Sequence, residues 1–109
     1  MAVNVDALAK QILTQAVSTG GEIWTRIKAA APIYVKGYAK VIVDIASGVA
    51  KGGITPSDGK LFARNALLIL IQGITYACQV TYVQVERFIN RVIETLKGAV
   101  NAALPIPLL

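Results

Sequence analysis

Apolar residues recur at helical spacing along most of this chain. In the second half, Leu67, Ile71, Ile74, Cys78, Thr81, Val85, Phe88, Val92, Leu96, Ala99 and Ala103 follow one another at intervals of three and four. That is the period of a helix with one face turned inward. The opposite side carries its own stripe: Asn65, Gln72, Gln79 and Glu86 recur every seven residues, continued by Asn90, Glu94 and Lys97. No proline falls between Ser57 and Leu104. The pattern therefore predicts one helix over residues 57–103, about forty-five residues and 68 Å long at the usual rise per residue.

The first half, residues 4–51, is helical but jointed. Leu8, Ile12, Ala16, Thr19, Ile23, Ile27, Ala30, Tyr34, Tyr38, Val41, Ile45 and Val49 keep a spacing near eleven residues per three turns. Thr19-Gly20-Gly21-Glu22 has the form of a capping box, where a helix can stop and restart. Pro32 is expected to kink the helix or to begin a new segment. Between the halves lies KGGITPSDGK, Lys51 to Lys60. Gly52 and Gly53 suit a helix end, while Thr55, Pro56 and Asp58 suit an N-cap, a first-turn proline and an acid at the third helical position.

The expected fold is thus all-α and one domain. It is a long antiparallel helical hairpin, with helix regions 4–51 and 57–103, a turn at 52–56, a kink near Pro32, and an extended apolar tail at 104–109. The prolines Pro105 and Pro107 keep that tail, LPIPLL, out of the helix.

Composition makes a lone hairpin insufficient. Hydrophobic residues form 55% of the chain and charged residues only 16%, against ~45–50% and ~25% in ordinary soluble domains. Leu68, Ile69, Tyr76, Val80 and Val83 lie off the seam of the second helix. Val3, Val17, Trp24, Ile33, Val35 and Ile42 lie off that of the first. Such a surface calls for lipid or further protein to cover it. Gly37, Gly48, Gly73 and Gly98 stand inside helical stretches, where each costs about 1 kcal/mol relative to alanine unless another backbone approaches closely. The tail is expected to sit in a neighbouring subunit's groove. Self-assembly in many copies follows as the expectation. The stretch Asn65 to Val85, uncharged over twenty-one positions, leaves insertion into a membrane as the alternative.

The net charge is +5, with eleven basic and six acidic residues. Between Pro32 and Arg64 five basic residues, Lys36, Lys40, Lys51, Lys60 and Arg64, face only Asp44 and Asp58. Lys36, Lys40 and Lys51 project from one helical face, and Lys60 and Arg64 stand four apart across the turn. A basic end of this kind, without base-reading aromatics, predicts non-specific phosphate contacts to nucleic acid. Elsewhere Glu22, Glu86 and Glu94 are placed to pair with Arg26, Arg87 and Arg91. There is no histidine and a single cysteine, Cys78. No metal set, no nucleophile–base pair and no phosphate-binding loop is present, so the sequence predicts neither catalysis nor a cofactor. The start, MAVNVDALAK, lacks the form of a secretory signal.

A short, very apolar, basic hairpin of two long helices with a proline-jointed first helix resembles the major coat proteins of rod-shaped and bacilliform archaeal DNA viruses, the clavavirus type above all. The resemblance implies a structural capsid subunit of the virion, wound in many copies around double-stranded DNA. The runner-up is a small membrane-active protein, holin- or bacteriocin-like, inserting residues 65–85.

Overall fold

The computed structural model describes residues 4–103 and 107–109. The chain is all-α: α1 (Val5–Thr19), α2 (Gly21–Ile27), α3 (Ala31–Ala50), α4 (Pro56–Cys78) and α5 (Tyr82–Ala103), with no strand among the described residues. Helix α1 lies against α3 and α5, and α4 lies between α3 and α5. These four therefore close into a bundle, and short α2 spans from α4 to α5 across one side.

Most helix ends follow from local chemistry. The Asn4 side chain caps α1 by accepting the Ala7 N–H at 2.7 Å. After Thr19 the chain stops and restarts where expected, but the means differ. Gly20 and Gly21 have φ of +61° and +86°, backbone states that L side chains rarely adopt. Thr19 makes no cap there; its hydroxyl instead accepts from the Gln15 amide at 3.2 Å. Pro32 sits in the first turn of α3, so it opens a segment rather than kinking one.

The turn between α3 and α4 forms as read. The Gly53 and Gly52 N–H groups donate back to the Gly48 and Val49 carbonyls at 2.9 and 3.1 Å, and Gly52 has φ +80°. This is a Schellman end. Across it, the Thr55 hydroxyl accepts the Asp58 N–H at 3.1 Å, with Pro56 first in the helix.

The long second helix does not form. Gln79 takes a left-handed conformation (φ +54°, ψ +36°), α4 ends at Cys78, and α5 begins at Tyr82. The Thr81 hydroxyl accepts the Gln84 N–H at 3.3 Å, which makes Thr81 the N-cap of α5. Thr81-x-x-Gln84 has capping-box form, and Val80 and Val85 on either side of the cap are both buried, as in a hydrophobic staple. The chain folds back there. A straight helix over 57–103 would exceed the 41 Å long axis of the molecule, whose other extents are 22 and 19 Å.

The inward seam survives the break. Ile71 and Ile74 of α4 and Val85 and Val92 of α5 are fully buried, together with Leu8 and Ile12 of α1 and Ile42 of α3. The first half folds back as well, since α1 lies on α3, so α3 has α1 and α4 as neighbours. Val35 and Ile42, expected to be wet, are therefore core residues, and Val80 beside the later break is buried too. Val17, Leu68 and Val83 remain exposed, and Ile33, Ile69 and Tyr76 strongly so, at 74, 67 and 86%. Val3 lies outside the described residues. At Gly73 the neighbour is a side chain and not the backbone expected: a Cβ there would stand 2.6 Å from the Tyr34 ring of α3. Gly37 and Gly98 have nothing within 4 Å of that position and mark no such approach.

The tail also differs from expectation. Its first residues, 104–106, lie outside the described part. Pro107 to Leu109 return to the chain's own bundle, where Leu108 is buried. Asn101 of α5 holds them: its amide oxygen accepts the Leu108 and Leu109 N–H groups at 3.1 and 3.0 Å. Its amide nitrogen donates to the Leu109 carbonyl at 3.1 Å. Gly59 lets Leu108 in, since a Cβ there would lie 3.2 Å from the leucine methyl.

Candidate functional site

Two concavities adjoin at Tyr38. The first is a cleft of about 460 Å³ formed by α3, α4, α5 and the returning tail. Its polar wall carries Lys60 and Arg64 of α4 and Asn90, Glu94 and Lys97 of α5, and its apolar wall carries Leu67, Ile93 and Leu108. The second is a groove of about 400 Å³ between α3 and α4, lined by Ile33, Gly37 and Val41 on one side and Phe62, Ala66 and Ile69 on the other. The groove exists because each helix has a second apolar stripe at spacings of three and four, outside the core seam. Gly37, with no side chain, leaves it open.

Tyr38 belongs to both concavities. The residue is only 4% exposed, and its hydroxyl is buried without a hydrogen-bond partner. A polar group left in that condition costs about 1–3 kcal/mol. Burial also pushes its pKa well above the ordinary tyrosine value, because the phenolate would be desolvated.

The five basic residues named from sequence are all exposed, but the structure divides them. Lys36 reaches Asp6 of α1 at 4.0 Å, and Lys40 reaches Asp44 one turn on at 2.9 Å. Both are solvated surface pairs of small energy. Lys51 stands in the turn without a carboxylate within 4.0 Å, and Lys60 and Arg64 line the cleft. Lys36–Asp6 and Lys40–Asp44 are the only ion pairs among the described residues, so the expected pairing of Glu22, Glu86 and Glu94 with Arg26, Arg87 and Arg91 does not form. Cys78, expected in the core, ends α4 half-buried against it. No cluster of three His, Cys, Asp or Glu side chains occurs among the described residues.

Sequence reasoning missed Lys97, which it placed on the outer stripe of an unbroken helix, and Tyr38, which it placed in the seam. Only the fold-back between α4 and α5 brings Lys97 beside Lys60 and Arg64. The signal for that fold-back was present in Thr81-x-x-Gln84, between Val80 and Val85.

The site is thus a surface feature of a helical bundle: a basic cleft with an apolar wall, next to an apolar groove. No protein-family model, no curated protein and no solved structure matches this chain.

Proposed function

We propose that this protein is a self-assembling structural subunit, a viral major coat protein that packs in many copies around double-stranded DNA in the virion. The observation that carries the reading is the apolar groove between α3 and α4, with Ile33 and Ile69 left in water on its rims. A monomer gains nothing from that surface, and an apolar face of a second copy would cover it. The net charge of +5 supports an anionic scaffold. Lys51, Lys60 and Arg64, without carboxylate partners within 4.0 Å, are better phosphate contacts than Lys36 and Lys40, which share their charge with Asp6 and Asp44. Electrostatic contacts of this kind read no sequence, so many copies are needed to coat a duplex.

Electron microscopy of the purified protein with linear duplex DNA tests this. Regular assemblies are expected, with DNA release as salt rises. Because Ile69 is exposed, Ile69→Glu should abolish assemblies while leaving the unfolding free energy within about 0.5 kcal/mol of the parent. Lys51→Gln should lower the slope of log affinity against log salt by about 1 for each bound chain. A monomer that stays dispersed and ignores DNA would end the proposal.

One observation favours the membrane reading. Helix α4 is the one helix among the described residues that is long and apolar enough to cross a bilayer, with 28% of its most apolar window buried. Its charges weigh against that reading. Asp58, Lys60 and Arg64 occupy the first half, and the uncharged part from Asn65 to Cys78 spans about 21 Å, short of the ~30 Å hydrocarbon core. The uncharged stretch Asn65 to Val85 is not one helix either, since it turns at Gln79. Leakage of anionic vesicles by the full chain would favour the membrane reading over the coat.

A further inference from the structure

The cleft beside Tyr38 does more than a coat contact requires. Lys60, Arg64 and Lys97 converge on it from two helices, none has a carboxylate within 4.0 Å, and Glu94 is the one acidic side chain in the lining. Three cations brought together raise one another's energy, and an anion among them relieves it. Leu67, Ile93 and Leu108 supply the apolar part of the same lining, Leu67 next to Arg64 along α4 and Ile93 one turn before Lys97 along α5. The volume, about 460 Å³, falls in the range of small-molecule sites. The floor is Tyr38, whose buried hydroxyl has no partner within the protein. The tail side of the cleft is held in place by the hydrogen bonds of Asn101, so the cavity is built before any ligand arrives.

We infer that this cleft binds a small amphiphilic anion, with an acidic headgroup on Lys60, Arg64 and Lys97 and an apolar tail along Leu67, Ile93 and Leu108. A duplex phosphate would use the cations and leave the leucine and isoleucine wall empty. A plain hydrocarbon would fill the wall and leave the cations unpaired. An acidic group on a short alkyl chain satisfies both. The inference stands apart from the coat reading, because binding is measured on small molecules whether or not the chain assembles.

Calorimetric titration of the full chain with octyl phosphate, octan-1-ol and inorganic phosphate decides it. Octyl phosphate should bind saturably at one per chain, with a dissociation constant on the order of 10–100 µM. Octanol and inorganic phosphate should each bind at least about tenfold more weakly, since each makes half of the contacts. Lys97→Gln and the double variant Lys60→Gln/Arg64→Gln should each weaken octyl phosphate about tenfold or more. Lys28→Gln, a cation outside the cleft, should not. Amide chemical shifts read on the same samples should change along residues 60–67, 90–97 and 107–109, and the variants' far-ultraviolet spectra should stay helical. Octanol binding as tightly as octyl phosphate overturns the inference in favour of a plain apolar site. Equal binding of inorganic phosphate overturns it in favour of a plain anion site. Shifts centred on Ile33 and Ile69, or charge variants that bind normally, overturn the placement.

Discussion

Tyr38 is the residue at which packing and polarity conflict. Its ring divides the groove from the cleft, and its hydroxyl is buried without a partner. Removing that oxygen removes a desolvated polar group and little else, so Tyr38→Phe should leave stability unchanged or raise it by about 1 kcal/mol at neutral pH. Urea denaturation reads this directly. The same site makes stability depend on alkaline pH. Its folded pKa lies above the ordinary tyrosine value, so the folded state holds the proton more tightly than the unfolded chain. The contribution is complete below about pH 10 and is lost as pH rises beyond it, at about 1.4 kcal/mol per pH unit for one group. Tyr38→Phe should lack that part of the alkaline slope. A variant whose slope matched the parent would mean that the hydroxyl is solvated.

At the scale of elements, the decisive feature is the break between α4 and α5. A left-handed residue other than glycine costs about 1–2 kcal/mol, and Gln79 holds that conformation because buried Val80 and Val85 and the Thr81 cap offset it. The sign of one substitution separates a break from a continuous helix. Gln79→Gly should stabilise the protein by about 0.5–1 kcal/mol, since glycine adopts this conformation without strain. In an unbroken helix the same change would destabilise by about 1 kcal/mol. Thermal or urea unfolding gives the answer, and exposure of Gln79 keeps packing out of the comparison. The turn at Lys51 to Thr55 was legible because its signals are local and come in sequence order: two glycines, a threonine, a proline and an aspartate. The break at Gln79 was not, because the apolar seam runs through it at unchanged spacing. Cys78, Thr81 and Val85 keep intervals of three and four whether the helix continues or turns back.

For the whole molecule, the returning tail decides where the chain's own apolar surface ends and that of a neighbour begins. Leu108 is 5% exposed within its own bundle, and Asn101 makes three hydrogen bonds to hold it there. Leu108→Ala should therefore destabilise the monomer by about 2–4 kcal/mol. The loss should be independent of protein concentration, as read by urea unfolding at two concentrations well apart. A tail docked in a neighbouring subunit would give a loss that grows with dilution. Among the described residues of the tail, Pro107 to Leu109 do not line the groove between α3 and α4, so the demand for another surface survives the compact fold. The expectation of excess apolar surface was right in kind at Ile33, Ile69 and Tyr76. It placed too much of that surface outside, because α3, with Val35 and Ile42, is packed between α1 and α4, and Val80 is buried where the chain turns after Gln79.

What the sequence determined by itself is therefore what acts within about four residues of the backbone. The helical period, the caps at Thr55 and Asn4, the glycine stop at Gly52 and the basic composition all belong to it, because helix hydrogen bonds and capping bonds are local. The tertiary structure alone decided how the helices are arranged. It set Lys97 beside Lys60 and Arg64, put Tyr38 under both concavities, and brought Leu108 home to Gly59. Each of these depends on the direction the chain takes after a single left-handed residue. The energy that selects that direction comes from side chains brought together across the bundle, far apart in sequence.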